Sequence, residues 1–444
     1  MAVLILFLLF FISILFLLSS LFLTGDDRRR HLPLPPGPKG WPLLGNLLQL
    51  NSKPHQTLQT LSRSHGSNGL LHLRLGTTTV IIISSSSAAS KCFRNHDVNL
   101  SSRPPNSIGK HIAYNFQDLV MAPYGLRWRM LRKLFSAHLF SNKALNDFQY
   151  VRDEEVMRLV RDLAKRETTV VDIGEMVNSC VVNALARMIV GRRMIVEGEE
   201  ATKFKEMATE MTRLAGQFNV GDFLPWIDWL DDIFIAGTDT TSITIEWILA
   251  ELIRHPHILA RAKQELDSIV GLNRLISELD LPKFSFLHDI IKENFRLHPT
   301  VPLSVPRMAI KDCEIDGYLI PKGATLFVNI WAIGRDPVSW PNDPLEFNPD
   351  RFGPGSLHEN VDVKGNDFEL IPFGAGRRIC AGMNLGLRMV PLVTAVLVHS
   401  FDWKLLDGQM ANMIDMEESY GVTMQKARPL MAKAVPRLQP EAYI

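Results

Sequence analysis

The chain has 444 residues, 46% of them hydrophobic, which is enough to bury the core of one or two domains. Its 48 lysines and arginines balance 47 aspartates and glutamates, so its charge gives no reason to expect a nucleic-acid partner. The four cysteines form no CxxC pair, and their wide spacing favours a reducing, cytosol-facing compartment. They are Cys92, Cys180, Cys313 and Cys380.

The first segment, residues 2–23, is almost wholly apolar and carries no charge. Its length and composition are typical of one helix across a bilayer. A cleaved signal peptide is the alternative, but it would have a basic start and a shorter apolar run. Three arginines follow at 28–30 and favour a cytosolic position for the rest of the chain. We therefore expect an uncleaved transmembrane anchor over 1–23 and a basic, proline-rich linker over 24–40.

Residues 41–444 are expected to form one catalytic domain that is mostly helical. Between Leu70 and Ser84 the alternation of apolar and polar residues predicts a pair of β-strands around Gly76. Further short strands are expected from Glu314 to Leu319 and at the carboxyl end. The predicted fold class is therefore mainly α with small β-sheets, an α+β arrangement.

The stretch FGAGRRICAG, from Phe373 to Gly382, places one cysteine in a glycine-rich loop before an apolar helical pattern. Glycines let a backbone approach a large flat group, because they carry no Cβ. Two arginines before Cys380 and the start of the following helix favour its thiolate. A thiolate open to a planar group is what a haem iron needs as an axial ligand. The alternative, a buried structural cysteine, does not explain the fixed offsets.

This loop resembles the haem-binding signature of the cytochrome P-450 family, Phe-x-x-Gly-x-Arg-x-Cys-x-Gly, at every defined position: Phe373, Gly376, Arg378, Cys380 and Gly382. The resemblance implies the P-450 fold behind the membrane anchor, with haem b whose iron is bound by Cys380. It also implies a monooxygenase that receives NADPH electrons through a separate flavoprotein, NADPH–cytochrome reductase, since the chain has no nucleotide-binding glycine motif. Like microsomal members, the chain is expected in the endoplasmic reticulum membrane, with lipid around the anchor and the catalytic domain in the cytosol.

Other stretches resemble the parts of the family that bind the haem propionates. Trp128 and Arg132 lie one turn apart on a predicted helix, and a guanidinium group suits a carboxylate. Taken alone, the pair would be interpreted as a surface arginine over an apolar face. Arg307 closes a proline-rich segment that lines the substrate pocket in the family. The resemblance implies propionate contacts for Arg307 and Arg378 as well.

The stretch 236–241 interrupts a long apolar helical pattern with poor helix formers, among them Gly237. A hydroxyl group there can bond back to a carbonyl one turn earlier and bend the helix, which opens a groove for dioxygen and water. The stretch resembles the acid–alcohol pair of the family. The resemblance assigns catalytic roles in proton delivery to Asp239 and Thr240.

Glu293 and Arg296 lie three positions apart on a predicted helix, where an exposed ion pair would contribute little energy. Here they resemble the Glu-x-x-Arg pair of the family, which is buried and joined by a later arginine, Arg351 in this sequence. The resemblance implies a structural triad beneath the haem loop rather than catalytic groups.

Three stretches resemble plant flavonoid 3'-hydroxylases more narrowly: residues 106–124, 361–368 and 416–423. This resemblance implies an aromatic plant metabolite as substrate and hydroxylation at the 3' position of the flavonoid B ring. The pocket is expected to be lined by residues 111–116, 301–305 and 422–423. A monooxygenase of another phenolic or terpenoid substrate is the alternative.

One departure from the family lies at Asp231 and Asp232. In the relatives, several helices separate the stretches that meet here, including helices that roof the substrate, so we interpret the junction as an internal deletion. Residues 226–254 could form one continuous helix, with Pro225 at its start. A haem-binding form without productive turnover is therefore a second hypothesis. An isomerase or dehydratase that uses no dioxygen is disfavoured by the intact acid–alcohol pair.

Overall fold

The computed structural model describes residues 32–107, 109–110, 113–195, 240–406 and 408–444. These residues form two compact units, one of residues 32–104 and 305–329, the other of residues 105–304 and 330–444 with the same gaps. The elements of both units are numbered here in chain order. The predicted anchor, the Asp231–Asp232 junction and Asp239 lie outside the described residues.

The first unit is built on a mixed four-stranded sheet in the order β1–β2–β7–β4. Strands β1 (Leu70–Leu75) and β2 (Thr78–Ile83) form the predicted antiparallel pair, β7 (Thr325–Val328) runs parallel to β2, and β4 (Arg307–Met308) is antiparallel to β7. Strands β5 (Cys313–Ile315) and β6 (Tyr318–Ile320) form a second hairpin, as expected. Helices α1 (Pro54–His65) and α2 (Ser86–Asn95) belong to the same unit.

The second unit is mostly helical. Its helices are α3 (Leu126–His138), α4 (Asn142–Asp147), α5 (Gln149–Ala164), α6 (Ile173–Val190), α7 (Thr240–Arg254), α8 (Pro256–Val270), α9 (Ser285–Leu297), α10 (Ile330–Ile333) and α11 (Met383–Ser400). An antiparallel sheet has the order β3 (Val171–Asp172), β11 (Met431–Pro436), β8 (Phe401–Lys404), and β9 (Glu418–Ser419) pairs with β10 (Gln425–Lys426). Many helices with small sheets agree with the predicted fold class.

Helices α7 and α11 lie in the core of the second unit. Residues 242–253 of α7 and 389–400 of α11 are all buried. A helix that is buried on every side needs partners for its polar side chains. Glu246 accepts a backbone N–H at 2.8 Å, and Glu251 Oε1 lies 2.7 Å from Nε2 of His298. The core thus fixes both helices: Thr240 is the first residue of α7, and Cys380 lies three residues before the start of α11.

Two of the described helices, α6 and α11, are long and apolar enough to cross a membrane. Their apolar windows are 50% and 67% buried inside the protein, respectively. Because a core helix of a globular protein has the same composition, we interpret both as core helices.

Candidate active site

Cys380 lies between a short 3₁₀ turn, Gly376–Arg378, and the start of α11. Its backbone N–H donates to the carbonyl oxygen of Phe373 at 2.9 Å, which closes the loop. Gly374 and Gly376 have φ values of +72° and +66°, in the left-handed region that favours glycine. The loop conformation therefore depends on these glycines, and it leaves Cys380 exposed.

The surroundings of the Cys380 thiol act on its pKa in opposite directions. Desolvation by the neighbouring chain raises the pKa, while the backbone N–H of Gly382, the charge of Arg132 and the backbone N–H of Met383 lower it. Both N–H groups belong to the N-terminal end of α11, where the helix dipole favours an anion. Desolvation is the largest of these effects, so the pKa is raised overall, and a bound metal cation would be needed to stabilise the thiolate.

The other three cysteines differ from Cys380. Cys92 and Cys180 are buried, and burial raises the pKa of both thiols well above the usual range. Cys313 is half-buried, and burial raises its pKa too. Cys380 is thus the exposed cysteine among the four, open to a group from outside the chain.

Arg132 connects α3 to the cysteine loop. Its Nη1 donates to the carbonyl oxygen of Ile379, the residue before Cys380, at 2.7 Å. Trp128, one turn earlier on α3, is 6% exposed. Its ring centroid lies 4.6 Å from Cζ of Arg378. The structure therefore brings the predicted Trp128, Arg132 and Arg378 together beside the cysteine.

Arg378 is buried within this group. Its Nη2 donates to the carbonyl oxygen of Ala122 at 2.5 Å, in the segment that precedes α3. With Arg132 it places two guanidinium groups at the loop. Planar guanidinium groups bind carboxylates through paired, charge-assisted hydrogen bonds, so this side of the loop suits an anionic ligand.

Phe373 gives the loop an apolar wall. Its ring packs edge-to-face on Phe295 of α9, with 5.3 Å between the ring centroids. A Cβ atom at Gly386 would lie 3.4 Å from the Phe373 ring. The glycine in the first turn of α11 therefore leaves room for this ring.

Glu293 and Arg296 of α9 form a buried, bidentate ion pair. Nε and Nη2 of Arg296 each lie 2.7 Å from a carboxylate oxygen of Glu293, and both side chains are 0% exposed. Nε of Arg351 lies 3.4 Å from Oε1 of the same carboxylate. The predicted triad is confirmed, and its members contact each other and the backbone.

Arg307 belongs to β4 of the first unit, whereas the residues around Cys380 belong to the second. Its Nη1 lies 3.5 Å from Oδ1 of Asp97, and its Cζ lies 4.3 Å from the ring centroid of Phe93. Burial lowers the pKa of Arg307 to about 10, against the opposing charge of Asp97. Its contact with a haem propionate stays a prediction.

Thr240 is the first residue of α7 and is exposed. Its carbonyl oxygen accepts a hydrogen bond of 2.8 Å from the hydroxyl group of Thr244. The predicted back-bond, from a hydroxyl group within residues 236–241 to a carbonyl one turn earlier, involves residues outside the described ranges and stays a prediction. Because Asp239 lies outside the described residues, the acid–alcohol pair is not tested.

Polar residues within α7 were missed by the sequence reasoning. Trp247 stacks on His298, with ring centroids 4.1 Å apart, and His298 contacts Glu251. The hydroxyl group of Thr244 also lies 2.9 Å from that of Thr300. The sequence contained a signal for these contacts. Residues 244, 247 and 251 lie on one side of a helix, and when that helix is buried their polar groups need hydrogen-bond partners on that side.

The residues around Cys380 fit haem better than a metal ion bound only by protein. Among the described residues, no three His, Cys, Asp or Glu side chains form a group that could hold a metal. Cys380 offers one exposed sulfur, with Phe373 and two guanidinium groups nearby. One thiolate would suit the iron of a haem, and the guanidinium groups would suit its propionates.

This class of site agrees with the comparison with known families. The sequence profile of cytochrome P-450 matches residues 35–232 and 229–432. The chain therefore belongs to the cytochrome P-450 family, whose members hold haem through a cysteine thiolate and are monooxygenases supplied with NADPH electrons by a reductase.

Curated relatives narrow this class. The chain is 50% identical to a flavonoid 3'-monooxygenase of Crocosmia x crocosmiiflora over 499 aligned positions, covering 96% of this chain and 98% of the relative. It is 49% identical to a flavonoid 3'-monooxygenase of Oryza sativa subsp. japonica, with 94% of each chain covered. It is also 38% identical to a flavonoid 3',5'-hydroxylase of Solanum melongena, with 98% and 96% covered. The narrower resemblance to flavonoid hydroxylases is thus confirmed.

Proposed function

We propose that this chain hydroxylates the 3' position of the flavonoid B ring. The observation that supports this substrate is the 46–50% identity, over nearly the whole chain, to four flavonoid 3'-monooxygenases. In the balanced reaction, one atom of dioxygen enters a ring C–H bond and the other leaves as water. Two electrons come from NADPH, and two protons are taken up.

Cys380 is the residue proposed to hold haem b through its sulfur, and the haem, when bound, would supply the activation of dioxygen. The protein's part is to hold the sulfur in a fixed loop and to offset part of the cost of its negative charge. The N–H groups of Gly382 and Met383 and the charge of Arg132 favour the anion. The loop conformation is fixed by the positive φ values of Gly374 and Gly376 and by the hydrogen bond from the N–H group of Cys380 to the carbonyl oxygen of Phe373.

Trp128, Arg132, Arg378 and Arg307 are the proposed partners of the haem propionates. Support for the first three is their position around the residues just before Cys380. A carboxylate beside the guanidinium group of Arg132 or of Arg378 would form a charge-assisted hydrogen bond with it. The assignment of Arg307 rests on the family resemblance alone.

Proton delivery is the proposed role of Asp239 and Thr240. Thr240 has an exposed side chain at the start of α7, as a group that exchanges protons with bound water would need. Asp239 would supply the acid, on the strength of the family resemblance. Together they would deliver protons at the Thr240 hydroxyl group while the substrate is held nearby.

The proposed partners are a membrane and a reductase. Residues 1–23 would anchor the chain in the endoplasmic reticulum, with the catalytic domain in the cytosol. Because the chain lacks a nucleotide-binding glycine motif, electrons would come through the flavoprotein NADPH–cytochrome reductase.

A catalytically impaired deletion form is the second candidate, favoured by two observations. The two parts of the family match meet at residues 229–232, beside Asp231 and Asp232. The 499 positions aligned with the Crocosmia protein exceed the 444 residues of the chain, so that relative has residues that this chain lacks. A shortened roof would bind substrate loosely and admit water.

The test is turnover of the full chain with a plant NADPH–cytochrome reductase in phospholipid vesicles. The substrate is a flavonoid whose B ring carries only the 4'-hydroxyl group, and products are identified by mass and NMR spectroscopy. The 3',4'-dihydroxy product would support the proposal. A 3',4',5'-trihydroxy product would instead match the 3',5'-hydroxylase relatives, and haem binding without product would favour the deletion form.

A further inference from the structure

The hydroxyl group of Thr244 lies between two oxygen atoms. Its Oγ1 is 2.8 Å from the carbonyl oxygen of Thr240 and 2.9 Å from Oγ1 of Thr300. A carbonyl oxygen can only accept, and a hydroxyl group has one hydrogen to donate. Thr244 therefore donates to Thr240, and Thr300 donates to Thr244. The two bonds form a directed chain that ends on the backbone of Thr240.

A second route joins Thr300 to the same helix. The backbone N–H of Met424 donates to the carbonyl oxygen of Thr300 at 2.8 Å. The indole N–H of Trp247 donates to the carbonyl oxygen of Met424 at 3.0 Å. Because Trp247 lies three residues after Thr244 on α7, these bonds close a ring through Thr244, Thr300, Met424 and Trp247. Each member is held from two sides, so the ring resists displacement of any one of them.

The ring rests on buried neighbours. Trp247 is 0% exposed, and its ring is nearly parallel to that of His298, at an angle of 6°. His298 contacts the buried carboxylate of Glu251. Nδ2 of Asn294, on α9, donates to the carbonyl oxygen of Thr244 at 3.4 Å. These contacts fix the segment after α9 against α7.

We propose that Thr244 and Thr300 are positioning residues for the hydroxylation. Their hydrogen bonds fix the carbonyl group of Thr240 and so the first described turn of α7. This keeps the Thr240 hydroxyl group in the position where it would deliver protons. The inference deepens the proposed function and rests on the role given there to Thr240. The ring also ties this turn to Thr300 and Met424, which adjoin the expected pocket segments 301–305 and 422–423.

The test uses matched substitutions in the full, haem-loaded chain. Thr244→Val and Thr300→Val keep the branched shape and remove the hydroxyl group, whereas Thr244→Ser and Thr300→Ser keep the hydroxyl group. Thr394→Val, on α11, is the control. Thr394 is 0% exposed, and its hydroxyl group has no hydrogen-bond partner among the described residues. A wild-type carbon monoxide spectrum in every variant shows that it has folded and holds haem.

The first measurement is hydrogen–deuterium exchange at the amides of residues 241–247, which needs no turnover. Both valine variants should exchange about three- to tenfold faster, the range expected for one lost net hydrogen bond. The serine variants and Thr394→Val should exchange like the wild type. Unchanged exchange in both valine variants would overturn the inference.

The second measurement is the fraction of NADPH electrons recovered as hydroxylated product rather than peroxide. We expect a severalfold loss in Thr244→Val and Thr300→Val, rescue in the serine variants and no change in Thr394→Val. In a Thr240→Ala background, Thr244→Val should add nothing, because it acts through Thr240.

The outcomes separate the two proposals. If Thr240→Ala diverts electrons to peroxide but Thr244→Val does not, the positioning inference is wrong. If Thr240→Ala leaves the electron distribution unchanged, the proposed role of Thr240 is wrong instead. The exchange measurement then decides whether the ring holds the first described turn of α7.

Discussion

Arg132 and Ile379 are joined by a hydrogen bond of 2.7 Å, from Nη1 of the arginine to the carbonyl oxygen of the isoleucine. Ile379 directly precedes Cys380, so this bond holds the chain on one side of the thiol. The N–H groups of Gly382 and Met383 act on the other side. Helices α3 and α11 therefore jointly position one sulfur atom.

Cys380→Ala should abolish the thiolate-type spectrum of the reduced, carbon monoxide-bound protein. The physical reason is that Cys92 and Cys180 are buried, Cys313 is half-buried at the start of β5, and none of the three lies in the loop of Cys380. Absorption spectroscopy of the purified protein is the measurement. Cys313→Ala is the matched control and should keep the wild-type spectrum. Retention of that spectrum in Cys380→Ala would refute the ligand assignment.

Glu293→Gln should destabilise the protein by about 3–5 kcal/mol, because it leaves two buried guanidinium groups without their anion. The free energy of unfolding in urea, with haem content followed in parallel, measures the effect. The control is Asp350→Asn at the exposed pair with Arg261, whose side chains are 62% and 52% exposed. That change should cost at most about 1 kcal/mol. Equal losses in the two variants would contradict a buried triad.

Asp289, on α9, makes stability depend on pH. Burial raises the pKa of its carboxyl group to about 6, although the charge of Lys292 lowers it. In the unfolded chain an aspartate has a pKa of about 3.9, so the folded state binds the proton more tightly. The resulting stabilisation is fully present below about pH 3.9 and is lost as the pH rises through about 6.

Asp289→Asn removes this titration, so its melting temperature relative to the wild type should be higher at about pH 8 than at about pH 5. Thermal unfolding at the two pH values is the measurement. The control is Asp162→Asn on α5, which makes the same change at an exposed position. The comparison of the two variants isolates the effect of burial. If the difference in melting temperature between Asp289→Asn and the wild type is the same at both pH values, the assigned titration is wrong.

The parts of the site that follow from local pattern were predictable from the sequence. Fixed offsets identified the loop of Cys380, alternation identified β1 and β2, and helical spacing paired Glu293 with Arg296. The contact between Thr244 and Thr300 was not predictable, because it joins hydroxyl groups 56 positions apart and no local period marks it. Such contacts depend on how segments pack in three dimensions.

On the deletion hypothesis, inserting the segment of the relatives between Asp231 and Asp232 should restore tight substrate binding and coupled turnover. The 444-residue chain should then bind haem but show weak substrate-induced spectral shifts and poor coupling, because a shortened roof would admit water. Spectral titration with a flavonoid and the ratio of product to NADPH are the measurements. An inserted glycine–serine linker of equal length is the control. If the 444-residue chain already couples like its full-length relatives, the proposed defect is wrong.

Arg296 also organises a stretch of chain that has no regular structure. It donates to the carbonyl oxygens of Gly334, Pro344 and Glu346 at 2.7, 2.5 and 2.9 Å, and residues 334–348 contain neither helix nor strand. One planar guanidinium group thus supplies bonds that strand pairing would supply in a sheet. Because Arg296 belongs to α9 and is oriented by Glu293, the path of this irregular stretch depends on a side chain that lies outside it. A substitution at Arg296 would therefore leave three carbonyl oxygens of the stretch without this donor.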